Sequence, residues 1–361
     1  MKFVHGSLPL LAVVGAVTAQ AQERIYQGFN SGAFFQSNKA KVQSDFENEF
    51  NAARSLHFSP GTFSSVRLYT NIQQGTTNTP IEAFQAAINT NTSILLGIWC
   101  SGTTTISNEL AALTSAIDKF GTRFTDLVVA ISVGSEDMYR LSESGIANDA
   151  GIGAGPNTIV NFIRQVRTAI NGTGLAQKPV GHVDSWSAWS NSSNSAVVDA
   201  VDFLGMDLYP YYESDQDNRI ENAEGIFDDL YNRTLTAAGD KPVWITETGW
   251  PFEGPVSGNA TATPENAKTY WDTIACKFLG RSNVWWYNLR DTNPAISEKF
   301  AVSKDVSAET TFNLTCAAGS GAPATINTDL SKGVKKSSAT QLMRSVEIIG
   351  LVSVLSVVVL M

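Results

Sequence analysis

Apolar residues along this chain fall into two alternating patterns. Short runs rich in β-branched and aromatic residues recur eight times: "IYQGFNSG" (25–32), "VRLYT" (66–70), "SILLGIWC" (93–100), "LVVAISVGSE" (127–136), "PVGHVDSW" (179–186), "FLGMDLYP" (203–210), "PVWITETGW" (242–250) and "VWWYNL" (284–289). These are strand-like in length and composition. Between them the apolar spacing becomes helical. Val42, Phe46, Phe50 and Ala53 share one face, as do Leu110, Leu113, Ile117 and Phe120, and later Ile159, Phe162, Ile163, Val166 and Ile170. Pro80 and Pro264 stand where helices are expected to begin. Strands alternating with helices imply parallel strands covered by helices. Eight such units in about 295 residues predict an α/β fold of the (β/α)8, or TIM barrel, type in a single domain.

In such barrels chemistry sits at the C-terminal ends of the strands. Those ends offer Asn30, Tyr69, Trp99, Glu136 with Asp137, Asp184 with Trp186, Tyr209, Glu247 with Trp250, and Trp286 with Asn288. This is a ring of carboxylates, aromatics and amides. Pyranose rings offer apolar C–H faces to aromatic side chains, and their hydroxyls bond acids and amides. A neutral sugar polymer therefore suits the ring. "YQGFNSG" after the first strand matches neither GxGxxG nor GxxxxGK[ST], so a nucleotide site is not expected. Metal-ligand spacings and a cofactor lysine are missing, and neither metal nor cofactor is expected. A net charge of -9 argues against nucleic acid as a partner.

Glu136 and Glu247 end the fourth and seventh strands. Cleaving a glycosidic bond takes two carboxyls. One protonates the leaving oxygen, and the other attacks the anomeric carbon or activates water. Their pKa values must be pushed apart. Either glutamate alone reads equally well as a cap or a surface acid; the pair at matching strand ends favours catalysis. Asp137 is expected to start the next helix. Asp184 is read either as a bond to a substrate hydroxyl or as structural, and Trp250 either as cleft-shaping or as a packed core residue.

The segments "VRLY", "ISVGSEDMYR", "DLYPYY" and "VWITETGWP" resemble, in this order along the chain, elements of glycoside hydrolase family 17, the β-1,3-glucanases, the last of them closely. The likeness spans about residues 24–290, and its layout is similar to fungal wall glucanases that carry a GPI anchor. The resemblance implies a retaining mechanism with Glu247 as nucleophile and Glu136 as acid/base. It also implies a place for Tyr209 near the nucleophile. Tyr69, Ser135, Asp184, Tyr209, Trp250 and Trp286 are the candidate substrate-binding residues. Ser135 departs from the family, which usually has Asn before the acid/base to bond the sugar 2-hydroxyl; Ser is shorter and has no amide. Phe252 replaces the small polar residue that often follows "GWP". The leading expectation is endo-hydrolysis of β-1,3-glucan by a monomer. A β-1,3-glucanosyltransferase using the same intermediate, and a wall-anchored glucan-binding protein without catalysis, are the alternatives.

The two ends bear on location. Met1-Lys2, "LPLLAVVGAV" and Ala19-Gln20-Ala21 have the layout of a secretory signal over 1–21. The hydrolase domain is expected over 22–316, a polar spacer over 317–345 and an apolar tail over 346–361. That layout is one of GPI attachment, with Ser337 as the candidate site and a retained tail anchor as the alternative. A membrane is expected as a partner only through the anchor. Sequons at Asn91, Asn171, Asn191, Asn232, Asn259 and Asn313 agree with export. Of three cysteines, Cys276 and Cys316 are expected to pair, and Cys100 to remain a buried thiol.

Overall fold

The computed structural model describes residues 24–317. Ser337, the expected signal at 1–21 and the expected tail at 346–361 lie outside the described residues. Eight parallel strands close into a barrel in sequence order: β1 (Gln27–Ser31), β2 (Ser65–Leu68), β3 (Ser93–Ile98), β4 (Val128–Ser135), β5 (Val180–Ser185), β6 (Leu204–Asp207), β7 (Val243–Glu247) and β8 (Val284–Trp286). Closure is made by β1 on β8, with Gly28 opposite Trp285. The expected (β/α)8 barrel is therefore borne out. All six residues of β3 are buried, as both faces of a helix-covered parallel strand should be.

The two faces of the barrel wall can be read from β8. Trp285 points inward, where it joins Leu95, Ala130, Phe203 and Trp244 in an apolar plug at the start of the strands. The Phe203 and Trp244 rings stack with centroids 3.9 Å apart. The plug needs a glycine wall beside it. A Cβ on Gly28 would lie 2.0 Å from the Ser65 carbonyl oxygen. Trp286 points outward, into the layer between sheet and helices.

The outer helices bury the faces their periodicity predicts, with local exceptions. The Pro156–Ile170 helix starts on a first-turn proline and buries Ile159, Phe162, Ile163, Val166 and Ile170. The Gln43–Ser55 helix buries Phe46, Phe50 and Ala53, but Val42 is its N-cap and 44% exposed, because it precedes the helical turn. In Ser107–Phe120 the buried face is Ala112, Leu113, Ala116 and Phe120, with Leu110 and Ile117 at its edge. Pro264 opens the Pro264–Tyr270 helix as expected. Pro80 instead forms a bridge with Ile72, and the helix begins at Ala83. Cys276 and Cys316 are bonded, with Cα atoms 5.6 Å apart, and Cys100 is a buried free thiol. Among the described residues no helix is long and apolar enough to cross a membrane.

Candidate active site

At the other end of the barrel the interior turns polar. The change begins at Arg67 in the middle of β2, 1% exposed and inside the ring. Its guanidinium donates to Glu247 Oε1 (2.5 Å), Asn30 Oδ1 (2.9 Å) and Ser135 Oγ (2.9 Å). Asn30 is itself anchored to the backbone carbonyls of Thr246 and Trp285. One buried cation thus ties together β1, β2, β4 and β7. The local sign of it was an arginine spaced two residues from Tyr69 in the run "VRLY", where alternation puts both on the inner face.

Glu247 receives two further donors. The Tyr69 hydroxyl lies 2.6 Å from Oε1 and the Tyr209 hydroxyl 2.7 Å from Oε2. Burial, then the charge of Glu247, raises both phenols well above their ordinary values, so both stay protonated as donors. Glu247 is 1% exposed, and a guanidinium and two phenols hold its carboxylate in one orientation.

Glu136 is dressed differently. Its Oε2 is buried without a hydrogen bond, and the nearest cation is Arg140 Nη2 at 3.7 Å. Burial raises its pKa to about 8; Arg140 opposes the shift, while Glu247 and Asp184 add to it. Two acids therefore face one cleft, one protonated at neutral pH and one braced as a carboxylate. That is the asymmetry a general acid and its partner require.

Both acids sit just past an irregularity in strand register. On β4 the pairing slips between Ser132 and Ser135, and on β6–β7 between Met206 and Asp207. Such bulges re-aim side chains next to active sites. Glu136 itself has φ +56°, a left-handed conformation that a glutamate holds only where its surroundings impose it. Asp207, two strands of wall away from β4, shares the cluster. Burial, then repulsion from Glu247, pushes its carboxyl well above the usual range, and Thr246 Oγ1 donates to it at 2.7 Å.

Other expected residues lie elsewhere. Asp137 does not start a helix: it is fully buried, and its Oδ2 accepts the Ser135 amide at 2.8 Å. Asp184 is fully buried, and its carboxylate accepts the amides of Met138, Tyr139 and Ser185, which leaves it structural rather than open to a sugar hydroxyl. Trp250 is 2% exposed, donates to the Thr261 carbonyl and packs on Tyr211 and Tyr270. Trp286, expected in the cleft, packs against Trp271 (4.9 Å between centroids) on the helix side, because its parity on β8 is outward. The residue that replaces it is Tyr287, whose ring lies edge-on to Tyr209 at 5.8 Å. Counting alternate positions from Trp285 would have found it. All six sequon asparagines are exposed. Among the described residues no group of three or more His, Cys, Asp or Glu is placed to hold a metal.

A family model described as the BtgE/BtgC glycoside hydrolase domain matches residues 28–304. The chain belongs to the BtgE/BtgC glycoside hydrolase family. Its relatives include a protein of Aspergillus oryzae named a probable glucan endo-1,3-beta-glucosidase, 50% identical over 83% of this chain and 65% of that protein. A protein of Aspergillus fumigatus with the same name is 47% identical over 89% of this chain and 70% of that protein. The chain thus spans about two thirds of the length of these family members. Among solved structures it is similar to an active-site mutant of a Rhizomucor miehei beta-1,3-glucanosyltransferase in complex with laminaritriose. The TM-score is 0.65 at 24% identity, covering 81% of this chain and 98% of that one. This agrees on the barrel fold.

Proposed function

We propose that this chain is a retaining glycoside hydrolase that cuts β-1,3-glucan internally, with Glu136 as acid/base and Glu247 as nucleophile. The observation that carries the reading is the opposite dress of the two glutamates. Glu136 keeps a proton and has an unbonded oxygen to offer it from. Glu247 is aimed by Arg67, Tyr69 and Tyr209. In the first step Glu136 protonates the glycosidic oxygen as Glu247 attacks the anomeric carbon, giving a glycosyl-enzyme. In the second, Glu136 takes a proton from water, which displaces Glu247. The names of the Aspergillus relatives support β-1,3-glucan as substrate. An extracellular, wall-side location as a monomer held by a GPI anchor belongs to the same proposal; the exposed sequons and the disulfide support export.

Incubation with β-1,3-linked oligosaccharides of defined length tests the reading. Shorter products released first as the β-anomer by proton NMR, and lost in Glu247→Gln, are expected. Products longer than the substrate would instead show transfer to a second sugar chain. Binding without any cleavage would reduce the protein to a glucan-binding module.

A further inference from the structure

Beneath the turn that carries Glu136 lies a buried charged cluster with no direct part in this chemistry. His182 in β5 is fully buried, and both ring nitrogens face acceptors. Nδ1 lies 2.6 Å from the Val133 carbonyl oxygen and Nε2 2.9 Å from Asp184 Oδ2. A carbonyl can only accept, so Nδ1 carries a proton, and a carboxylate opposite Nε2 calls for a second. Burial opposes that charge, but the hydrogen bond and charge of Asp184, with the charge of Asp137, outweigh it and raise the ring's pKa. Trp189 covers the ring edge-on at 5.6 Å.

The other side of Asp184 faces the turn. Its oxygens accept the amides of Met138 (2.9 Å) and Tyr139 (3.1 Å), two and three residues past Glu136. Asp137 takes the amide of Ser135, just before it. The backbone on both sides of Glu136 is therefore fastened to two buried carboxylates, and the titratable groups around them are His182, Arg140 and Glu136 itself. No slack remains between these groups. Gly134 has φ +91°, and a Cβ there would lie 2.2 Å from Asp137 Oδ2 and 2.8 Å from His182 Cε1. A loop held in left-handed backbone at two nearby positions keeps that shape only while such anchors persist.

We propose that His182 is a positioning residue for the acid: by orienting Asp184 it fixes the turn after β4, and so the direction in which Glu136 presents its proton. The inference rests on Glu136 being the general acid. It predicts a defect in the steps in which Glu136 moves a proton, and kcat/KM reports the first of these, departure of the leaving group. A β-1,3-oligosaccharide leaves as a sugar alkoxide and must be protonated; the 2,4-dinitrophenyl β-glycoside of the same sugar leaves as a stable phenolate and need not be.

The test compares kcat/KM of wild type and His182→Gln on these two substrates. With the oligosaccharide a fall on the order of 100-fold is expected, carried by kcat, with KM little changed. With the dinitrophenyl glycoside kcat/KM should stay close to wild type, which also shows that the variant is folded. Equal losses on both substrates, or no loss on either, overturn the role of His182. A wild type inert to both substrates removes the acid itself, and the proposal with it. A second measurement needs no variant. Nitrogen-15 NMR of the wild-type protein should show the His182 ring protonated on both nitrogens at pH 7, as its two acceptors require. A neutral His182 ring at pH 7 overturns the proposal whatever the activity.

Discussion

The two ends of this barrel solve opposite problems with the same eight strands. At the start of the strands Leu95, Ala130, Phe203, Trp244 and Trp285 fill the interior with apolar volume. The one polar atom of Trp285, its indole N–H, is satisfied by Ser65 Oγ at 3.1 Å. At the far end the interior is filled by Arg67, Glu247, Glu136 and Asp207, all nearly inaccessible to water. There, polar atoms on Arg67, Glu136 and Asp207 stay without hydrogen bonds. Apolar packing gains free energy from burial, whereas unpaired polar groups cost it. The difference teaches that the plug holds the fold and the rim stores the chemistry. Substitutions at the two ends should therefore separate stability from activity.

The largest effect is expected at the rim. Glu247→Gln keeps the shape and leaves an acceptor oxygen for Arg67, but removes the anion proposed to attack. A loss of kcat on the order of 10,000-fold or more is expected on β-1,3-oligosaccharides, about 5 kcal/mol in the barrier. Circular dichroism and melting temperature should show the barrel intact. Retention of even a tenth of the activity would remove Glu247 from the nucleophile's role. The converse experiment is Phe203→Ala in the plug. Losing a buried ring stacked on Trp244 is expected to cost about 3–5 kcal/mol of stability. Measured well below its melting temperature, the variant should keep kcat/KM within about threefold of wild type. A large loss of activity in a folded Phe203→Ala protein would mean that the two ends are not independent.

The ends also differed in how far they could be read from the chain. The plug and the wall were legible because burial on both faces leaves long apolar runs, and eight of them alternating with helical spacing admit few architectures. Glu136 and Glu247 were legible because a carboxylate that closes such a run is conspicuous. What was hidden depended on geometry that sequence distance conceals. Arg67 is 180 residues from Glu247 and 68 from Ser135, and nothing local ties them together. Trp286 was placed in the cleft instead of Tyr287 because an unbroken "WWY" run does not announce its parity, and a one-residue slip exchanges the two faces of a strand. Asp137 and Asp184 look like rim acids in sequence. Both are buried under the Glu136 turn, where they accept its backbone amides, an arrangement no periodicity reveals.

The smallest effect sharpens the comparison most, because it predicts that the rim works against the fold. Glu136 ionises in the unfolded chain at its ordinary value near 4.5 and in the folded protein at about 8. Between those values the native state holds a proton that the unfolded state has released, so stability falls as pH rises through the window. Removing the ionisable group should abolish that loss. Glu136→Gln, nearly isosteric, is expected to be as stable as wild type near pH 4.5. As pH rises to 8 it should become the more stable protein by on the order of 1–3 kcal/mol. For a chain of this size that is a shift of a few degrees in melting temperature. With Glu136 as the proposed acid, the same proton sets the alkaline limb of activity, and wild-type kcat/KM should fall about tenfold per pH unit above about 8. If the melting difference between wild type and Glu136→Gln is flat from pH 5 to pH 8, Glu136 titrates at an ordinary value. The unbonded oxygen at the rim would then be solvated and charged, and the rim would carry no stability cost for its chemistry. If the difference grows with pH while the alkaline limb lies at the same place, one buried proton links the two properties that the barrel otherwise keeps at opposite ends.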